Sequence, residues 1–509
     1  MLHILQQRQL EEITLQSKDA AYLYVDSEDK GIIQELAEYF TFFVPGYKFM
    51  PQFRNKLWDG KLRLLNLRDQ SIYSGLYKHI CAFAAERNIK ITILPHDIFK
   101  TEANLPGAHG EIDMSFIDEY VLPFPPRDYQ LAAVKYGLEN RRGLLVSPTA
   151  SGKSYIIYLM MRYFMDMSYD MIADKVLLIV PTTSLVKQMV GDFAKYSEND
   201  PNFDVNECHE IMAGLDKGHK TKKIYVSTWQ SIYKMQKGYF QQFGMVIGDE
   251  AHGFKAKSLT SILTKCSNAN YRYGLTGTLD GTQTHKLVLE GLFGPHKNIT
   301  TSKELIDRGD LANISIEILL LKHKDEDCKE VSKMKYQDEV DWIVTSTRRN
   351  NFIKNLAVDL KGNTLVLFQY VEKHGEPLFR SISDAVDDKR KVFYVSGKTP
   401  ADTREEIRAI TETESNAILV CSYGTFSTGI NIVNLHNIIF ASPSKSQIRV
   451  LQSIGRGLRK SSLDTTIYDI ADDLHWKSNK NYTLNHAAER VKIYSKERFK
   501  FKMHEIKLL

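Results

Sequence analysis

Cysteine is scarce in this sequence: five among 509 residues (Cys81, Cys208, Cys266, Cys328, Cys421), odd in number and never at C-x-x-C spacing. A disulfide framework or a zinc site needs clustered cysteines, so the scatter excludes both and points to reduced, mostly buried thiols in a cytosolic setting. Long apolar runs are missing as well. No stretch approaches the ~18–20 residues of a membrane span, and Met1-Leu2-His3-Ile4-Leu5-Gln6 lacks a signal peptide's apolar stretch. Membrane and secreted readings are set aside. A dominant charge is absent too: 67 basic residues against 62 acidic give +5, which names no partner. Short-period repeats and low-complexity tracts are not seen.

What is present is the composition of a soluble globular protein, 43% hydrophobic, 25% charged and 11% aromatic, long enough for three or four domains. The charge is unevenly placed. Gly46 to Arg68 holds six basic residues and one acid, and Leu484 to Lys507 holds seven and three. Between these ends, short β-branched runs close on polar turns: Gly143–Val146, Lys175–Val180, Ile224–Val226, Met245–Ile247 and Tyr273–Leu275. The theme restarts at Thr364–Phe368, Val392–Val395, Ala417–Val420, Ile438–Phe440 and Thr466–Tyr468. Strands alternating with helical patterns predict two parallel sheets covered on both faces, joined around residues 300–345. Ligands collect at the carboxyl ends of such strands, where these polar turns fall.

Ser147-Pro148-Thr149-Ala150-Ser151-Gly152-Lys153-Ser154 reads as a phosphate-binding loop. Small residues let backbone N–H groups face phosphate oxygens at a helix N-terminus, whose dipole favours anions. Lys153 would reach the β- and γ-phosphates of ATP and Ser154 would hold Mg²⁺, although Ser147 stands where the motif has its first glycine. Asp249-Glu250-Ala251-His252 follows an apolar strand 96 residues after Lys153. One carboxylate there, Asp249, can orient Mg²⁺, and Glu250 beside it can activate water. In the second unit, Arg456 and Arg459 lie three apart on one helical face. A solvated basic face is the plain alternative; as arginine fingers they would be worth ~10³–10⁵ in rate.

The order of these segments resembles superfamily two helicases of the DEAH/DEAD-box type, which implies α/β architecture with two tandem RecA-like domains. Pro126-Arg127-Asp128-Tyr129-Gln130 looks like the family's adenine-recognition segment, so Arg127 and Gln130 join the ATP set. A side-chain amide such as that of Gln130 can bond an adenine edge in both directions. Pro181 to Gln188 and Ser227 to Gln230 resemble the backbone-contacting motifs Ia and Ib, and Leu275-Thr276-Gly277-Thr278 resembles the coupling motif III. Ser422 to Asn431 resembles motif V and Gln452 to Arg459 motif VI; Asn431 departs from the aspartate of many relatives. The resemblance implies that Gly429 contacts ATP, that Thr182, Thr228 and Thr428 hold DNA phosphates, and that His252, Thr276, Thr278 and Gln452 couple hydrolysis to DNA.

Phe49 to Arg54, Leu57 to Leu65, Phe426 to Ile430 and Tyr494 to Phe499 bring the likeness closer, to phage recombination helicases of the UvsW type. That resemblance implies an ATP- and Mg²⁺-dependent enzyme in the cytoplasm of an infected host, acting as a monomer or weak oligomer. Its expected partners are branched DNA (forks, Holliday junctions, D-loops) and RNA–DNA hybrids, with no membrane. The expected domains are residues 1–105, a small α+β DNA-binding domain; 106–310 and 311–475, the RecA-like pair; and 476–509, a basic helical tail.

Read from the residues alone, Arg54, Lys56, Lys61 and Arg63 can pair with phosphates while Tyr47, Phe49, Phe53 or Trp58 pack on sugar or base. The competing reading makes those aromatics a small core. Val491, Tyr494, Phe499 and Phe501 are candidate core positions of the tail, which either folds back on the second RecA-like domain or meets DNA. Alternatives to a junction helicase are a double-strand translocase, an RNA helicase and an ATP-gated annealing clamp. A P-loop kinase is disfavoured, since nothing resembles an acceptor site.

Overall fold

The computed structural model describes residues 11–94, 110–168, 172–212, 214, 216–219, 221–279, 282–310, 313–387, 389–429, 434–443 and 465–508. The chain divides into two compact units, Met1–Ser147 with Gly152–Ile299, and Thr300–Leu509 with the short stretch Pro148–Ser151.

In the first unit, residues 11–94 build a small α+β domain. Strand β1 (Glu12–Ser17) pairs antiparallel with β2 (Tyr22–Asp26) and parallel with β6 (Lys90–Leu94), while β5 (Ser71–Tyr73) flanks β2. Alternation sends Ile13, Leu15, Leu23 and Val25 to one face, against Leu36 of helix Lys30–Tyr39 and Phe83 of helix Tyr77–Glu86. A separate antiparallel pair, β3 (Thr41–Phe43) with β4 (Lys61–Arg63), carries the basic and aromatic segment.

Seven parallel strands follow: β7 (Arg142–Val146), β8 (Lys175–Val180), β9 (Cys208–Ile211), β10 (Ile224–Thr228), β11 (Phe243–Gly248), β12 (Tyr271–Thr276) and β13 (His296–Asn298). Their order is β13-β7-β12-β11-β8-β10-β9. The central strands β8 and β11 are apolar because both faces are covered, whereas the edge strands β13 and β9 are polar. Val176, Leu178 and Val180 join one core with helix Lys153–Met167, whereas Leu177 and Ile179 join another with Ile262 and Phe293.

The small domain is fixed to this sheet by buried polar bonds. Arg142 on β7 donates to Ser74 Oγ at 2.6 Å and to the Ala20 carbonyl at 2.9 Å. Buried Glu290 takes His79 Nε2 at 2.8 Å from the small domain and His296 Nδ1 at 2.5 Å from β13. Burial would raise the Glu290 carboxyl, but the bonds from His79 and His296 hold it below the ordinary glutamate value.

The second unit holds another all-parallel sheet: β14 (Ile314–Lys322), β15 (Thr364–Phe368), β16 (Val392–Val395), β17 (Ile418–Ser422), β18 (Asn437–Phe440), β19 (Thr465–Asp473) and β20 (Lys500–Lys507). Their order is β16-β17-β15-β18-β19-β14-β20. The expected helical tail needs correction. Helix Tyr482–Lys496 is followed by β20, which runs parallel to β14 at the sheet edge. Phe501, expected in a core, is 38% exposed, while Tyr494 and Phe499 are buried and Val491 is half-buried. An edge strand with both faces open shows little hydrophobic pattern.

The tail helix folds back onto β19. Buried Arg490 pairs with Asp469 at 2.7 Å, and Tyr494 OH donates to the same carboxylate at 2.7 Å. Arg490→Ala should therefore destabilise this unit by about 3–5 kcal/mol, because it strands a buried carboxylate. Denaturant unfolding of the variant against wild type checks this; a loss under 1 kcal/mol would mean that the helix is held by apolar contacts instead.

Candidate active site

Neighbouring strands β7, β12 and β11 end together, so the polar residues that follow them share one edge of the first sheet. The loop after β7 leads into helix Lys153–Met167, with Gly152 as its N-cap at φ +80°. Left-handed backbone there suits glycine alone among common residues without strain. A Cβ on Gly152 would also lie 2.4 Å from Gln130 Nε2. Loop and Gln130 are thus in contact, which brings the phosphate and adenine candidates to one place. Gln130 is buried, and its Oε1 accepts from the Arg127 backbone N–H at 2.9 Å; exposed Arg127 donates from its guanidinium to Tyr129 OH. Within the loop, Ser151 Oγ donates to the Pro148 carbonyl at 2.7 Å, Ala150 is at φ +67°, and Thr149 is half-buried. Gly152→Ala should raise the KM for ATP at least ~10-fold through backbone strain and the clash with Gln130. Steady-state hydrolysis against ATP concentration measures it.

Lys153 Nζ donates to the Ser147 carbonyl at 3.3 Å, across the loop it would serve. Ser154 Oγ shares a 2.9 Å bond with Tyr196 OH, a partner that no sequence motif signalled. At the end of β11, Asp249 is buried and its Oδ1 has no hydrogen-bond partner among the described residues. Burial, and after it the Glu250 charge, push the Asp249 carboxyl up to about 6, with Lys153 opposing. A buried carboxylate oxygen without a partner suits a divalent cation, so the donor set of Asp249 and Ser154 fits Mg²⁺.

Glu250 is held in the left-handed region at φ +49°, strain of the kind that accumulates at functional positions. A relay runs from it. His252 Nδ1 lies 3.4 Å from Glu250 Oε2 and 3.1 Å from Thr276 Oγ1. Thr276 gives its hydroxyl proton to the Thr278 carbonyl at 2.9 Å, leaving its oxygen to accept, so Nδ1 is the protonated nitrogen of His252. His285 Nε2 bonds the His252 carbonyl at 2.9 Å and steadies the turn. His285 had no signal in the sequence, since a histidine inside a helix looks like any other.

The DNA-contact candidates fare unevenly. Thr182 caps helix Thr183–Tyr196, accepting from Leu185 N–H, and is half-buried. Thr228 is buried at the start of helix Trp229–Ile232, with its hydroxyl bonded to Ser231 Oγ at 2.9 Å rather than to the helix backbone. Arg54 and Lys56 are exposed; Lys61 Nζ lies over the Phe43 ring at 5.2 Å, and Arg63 pairs with Asp59. Thr428 and Gly429 fall in helix Tyr423–Gly429, but the Thr428 side chain lies outside the described residues. Asn431, Gln452, Arg456 and Arg459 lie wholly outside them.

Three stretches match known families: residues 12–94 match DNA helicase UvsW, N-terminal; 123–281 match Type III restriction enzyme, res subunit; 347–461 match the helicase conserved C-terminal domain. The chain is 34% identical over 516 residues to the ATP-dependent DNA helicase uvsW of Enterobacteria phage T4, with 98% of this chain and 100% of the relative covered. It is 23% identical to the DNA 3'-5' translocase XPB2 of Sulfurisphaera tokodaii, covering 71% of this chain and 85% of that one. Among solved structures, the DEAD-box helicase Mss116 bound to ssRNA superposes with a TM-score of 0.54 at 13% identity, over 78% of this chain and 79% of that chain, a likeness of fold.

Proposed function

The chain belongs to the superfamily two helicases of the UvsW type, ATP-dependent DNA helicases with two RecA-like domains, and from that premise we propose that it remodels branched DNA. Its reactions would be fork regression, Holliday-junction branch migration, and the unwinding of D-loops and R-loops during recombination, replication and repair in an infected cell. The observation that carries this reading is the likeness to the phage T4 helicase over 98% of the chain, which includes the N-terminal domain and not the motor alone.

In the mechanism, the loop from Pro148 to Ser154 cradles the phosphates, with Lys153 on the β- and γ-phosphates and Gln130 and Arg127 toward the adenine. Asp249 and Ser154 would hold Mg²⁺, which when bound neutralises charge on the phosphates. Ser154 would turn from Tyr196 to do so. Glu250 orients the attacking water, and Arg456 and Arg459 stabilise charge in the transition state. His252, Thr276 and Thr278 carry the change at Glu250 to the loop after β12, and Gln452 serves the same coupling from motif VI. Thr182, Thr228 and Thr428 hold backbone phosphates without reading sequence, and Arg54, Lys56, Lys61 and Arg63 add a salt-sensitive grip.

The test is ATP hydrolysis alongside remodelling of labelled fork and four-way-junction DNA, against linear duplex and RNA duplex. Stimulation and strand exchange specific to branched DNA, lost in Lys153→Ala, are expected. Equal stimulation by linear duplex without strand exchange would instead favour a double-strand translocase, a reading that the likeness to the XPB2 translocase keeps in view.

A further inference from the structure

The segment between β3 and β4 is braced from within yet leaves two large apolar side chains turned to solvent. Its neck is closed by the β3–β4 pair and by the Val44 N–H donating to the Gly60 carbonyl at 2.9 Å. Tyr47 is the brace. It stacks on Phe43 at 4.7 Å between centroids and meets Phe53 edge-on at 4.7 Å, while Gly60 packs so close that a Cβ would sit 2.2 Å from the Tyr47 ring. Trp58 Nε1 donates to the Lys61 carbonyl at 2.8 Å, which pins the returning strand. With the fold of the tip secured in this way, Phe49 is left 76% exposed and Leu57 78% exposed.

A small domain with a complete core of its own has no folding reason to present a phenyl ring and a leucine to water. Single exposed apolar residues are ordinary, but two on one braced tip among cations are not. Lys48, Arg54 and Lys56 are exposed in the same segment, and Gly46 to Arg68 has six basic residues against one acid. Apolar faces flanked by cations match a base-pair face flanked by phosphates. A membrane or an apolar protein groove would explain Phe49 and Leu57 but not the surplus of positive charge.

We propose that Phe49 and Leu57 form a stacking tip that seats on the last base pair at the junction between duplex and single strands, with Lys48, Arg54 and Lys56 on the diverging phosphates. The inference rests on the N-terminal domain meeting DNA in the proposed function, and adds which feature of the DNA it meets. Stacking on an end needs a rigid apolar surface, because a flexible one would lose on ordering what it gains on contact. The Tyr47 brace supplies that rigidity. Single strands or uninterrupted duplex expose no terminal pair, so the tip makes the junction the preferred site without reading sequence.

The experiment uses the full-length protein and a forked DNA carrying 2-aminopurine in the base pair next to the junction, without ATP. Wild type should change the probe's fluorescence on binding. The double variant Phe49→Ala with Leu57→Ala should lose that change and bind the fork about 10-fold more weakly, as removal of base stacking does, with single-strand affinity within about two-fold. Phe49→Trp should keep the signal, which separates stacking from misfolding. A fluorescence change in the double variant equal to wild type would overturn the proposal and point to a protein partner for the tip. No change in wild type would also overturn it, as would an equal loss on fork and single strand. If wild type perturbs the probe through the tip yet fails to remodel forks with ATP, the branched-DNA function falls and the stacking tip stands.

Discussion

Glu250→Gln should bind ATP as tightly as wild type and hydrolyse it ~10²–10⁴-fold more slowly, the range expected when a positioned general base is removed. Its place in the fold makes the effect selective. Glu250 follows Asp249 at the end of the buried strand β11, and its backbone is held in the left-handed region at φ +49°. Gln has the same shape and keeps an oxygen toward His252, so the relay to Thr276 and Thr278 survives. What is lost is the charge that draws a proton from water. Single-turnover hydrolysis with separate measurement of nucleotide affinity checks the prediction. A rate within five-fold of wild type would remove Glu250 from the chemistry. A Gln variant that still remodelled junctions catalytically would revive the ATP-gated clamp.

The motor was legible because its strands are buried on both faces. Lys175–Val180 is six apolar or stem-rich residues ending at Pro181, and the structure places β8 on those residues. The edge strands β9, β13 and β20 were missed, and so was the interior strand β14, whose apolar run lies in the stretch 300–345 read as a join between the two units. Cys208-His209-Glu210-Ile211 and His296-Lys297-Asn298 are short edge strands with polar side chains, while β20 is exposed along nearly its whole length. Edge strands draw their order from backbone pairing, which leaves little trace in side-chain pattern. At the site, the residues that a motif carries were visible, and their supports were not. Tyr196 reaches Ser154 from 42 positions away and His285 reaches His252 from 33, distances over which no local spacing rule operates. The charge cluster at residues 46–68 was visible too, but that Tyr47 is inside the tip and Phe49 outside is a matter of packing, on which composition is silent.

Asp249→Asn should do two opposite things at once: abolish hydrolysis and make the protein free of nucleotide and metal more stable. Asp249 is buried beside Glu250, and its carboxyl is pushed up to about 6 against an ordinary 3.8 by burial first and the neighbouring charge second. A carboxyl raised in the folded state favours folding fully below its unfolded pKa, and that contribution is lost as pH rises through the folded value. Above pH 6 the wild-type protein therefore carries a buried charge that it would be more stable without. Asn fills the same volume without the charge, so at pH 7.5 the variant should be stabilised by about 3 kcal/mol, from roughly 1.4 kcal/mol per pKa unit. The gain should shrink toward zero as pH falls to about 4, where wild type becomes protonated. Adding ATP and Mg²⁺ should reverse the order, because wild type gains ligand stabilisation that the variant cannot match. Thermal unfolding across pH 4–8, with and without nucleotide and metal, reads all of this. A variant no more stable than wild type at pH 7.5 would mean that Lys153 already neutralises Asp249, and that the carboxylate is paired before any cation arrives.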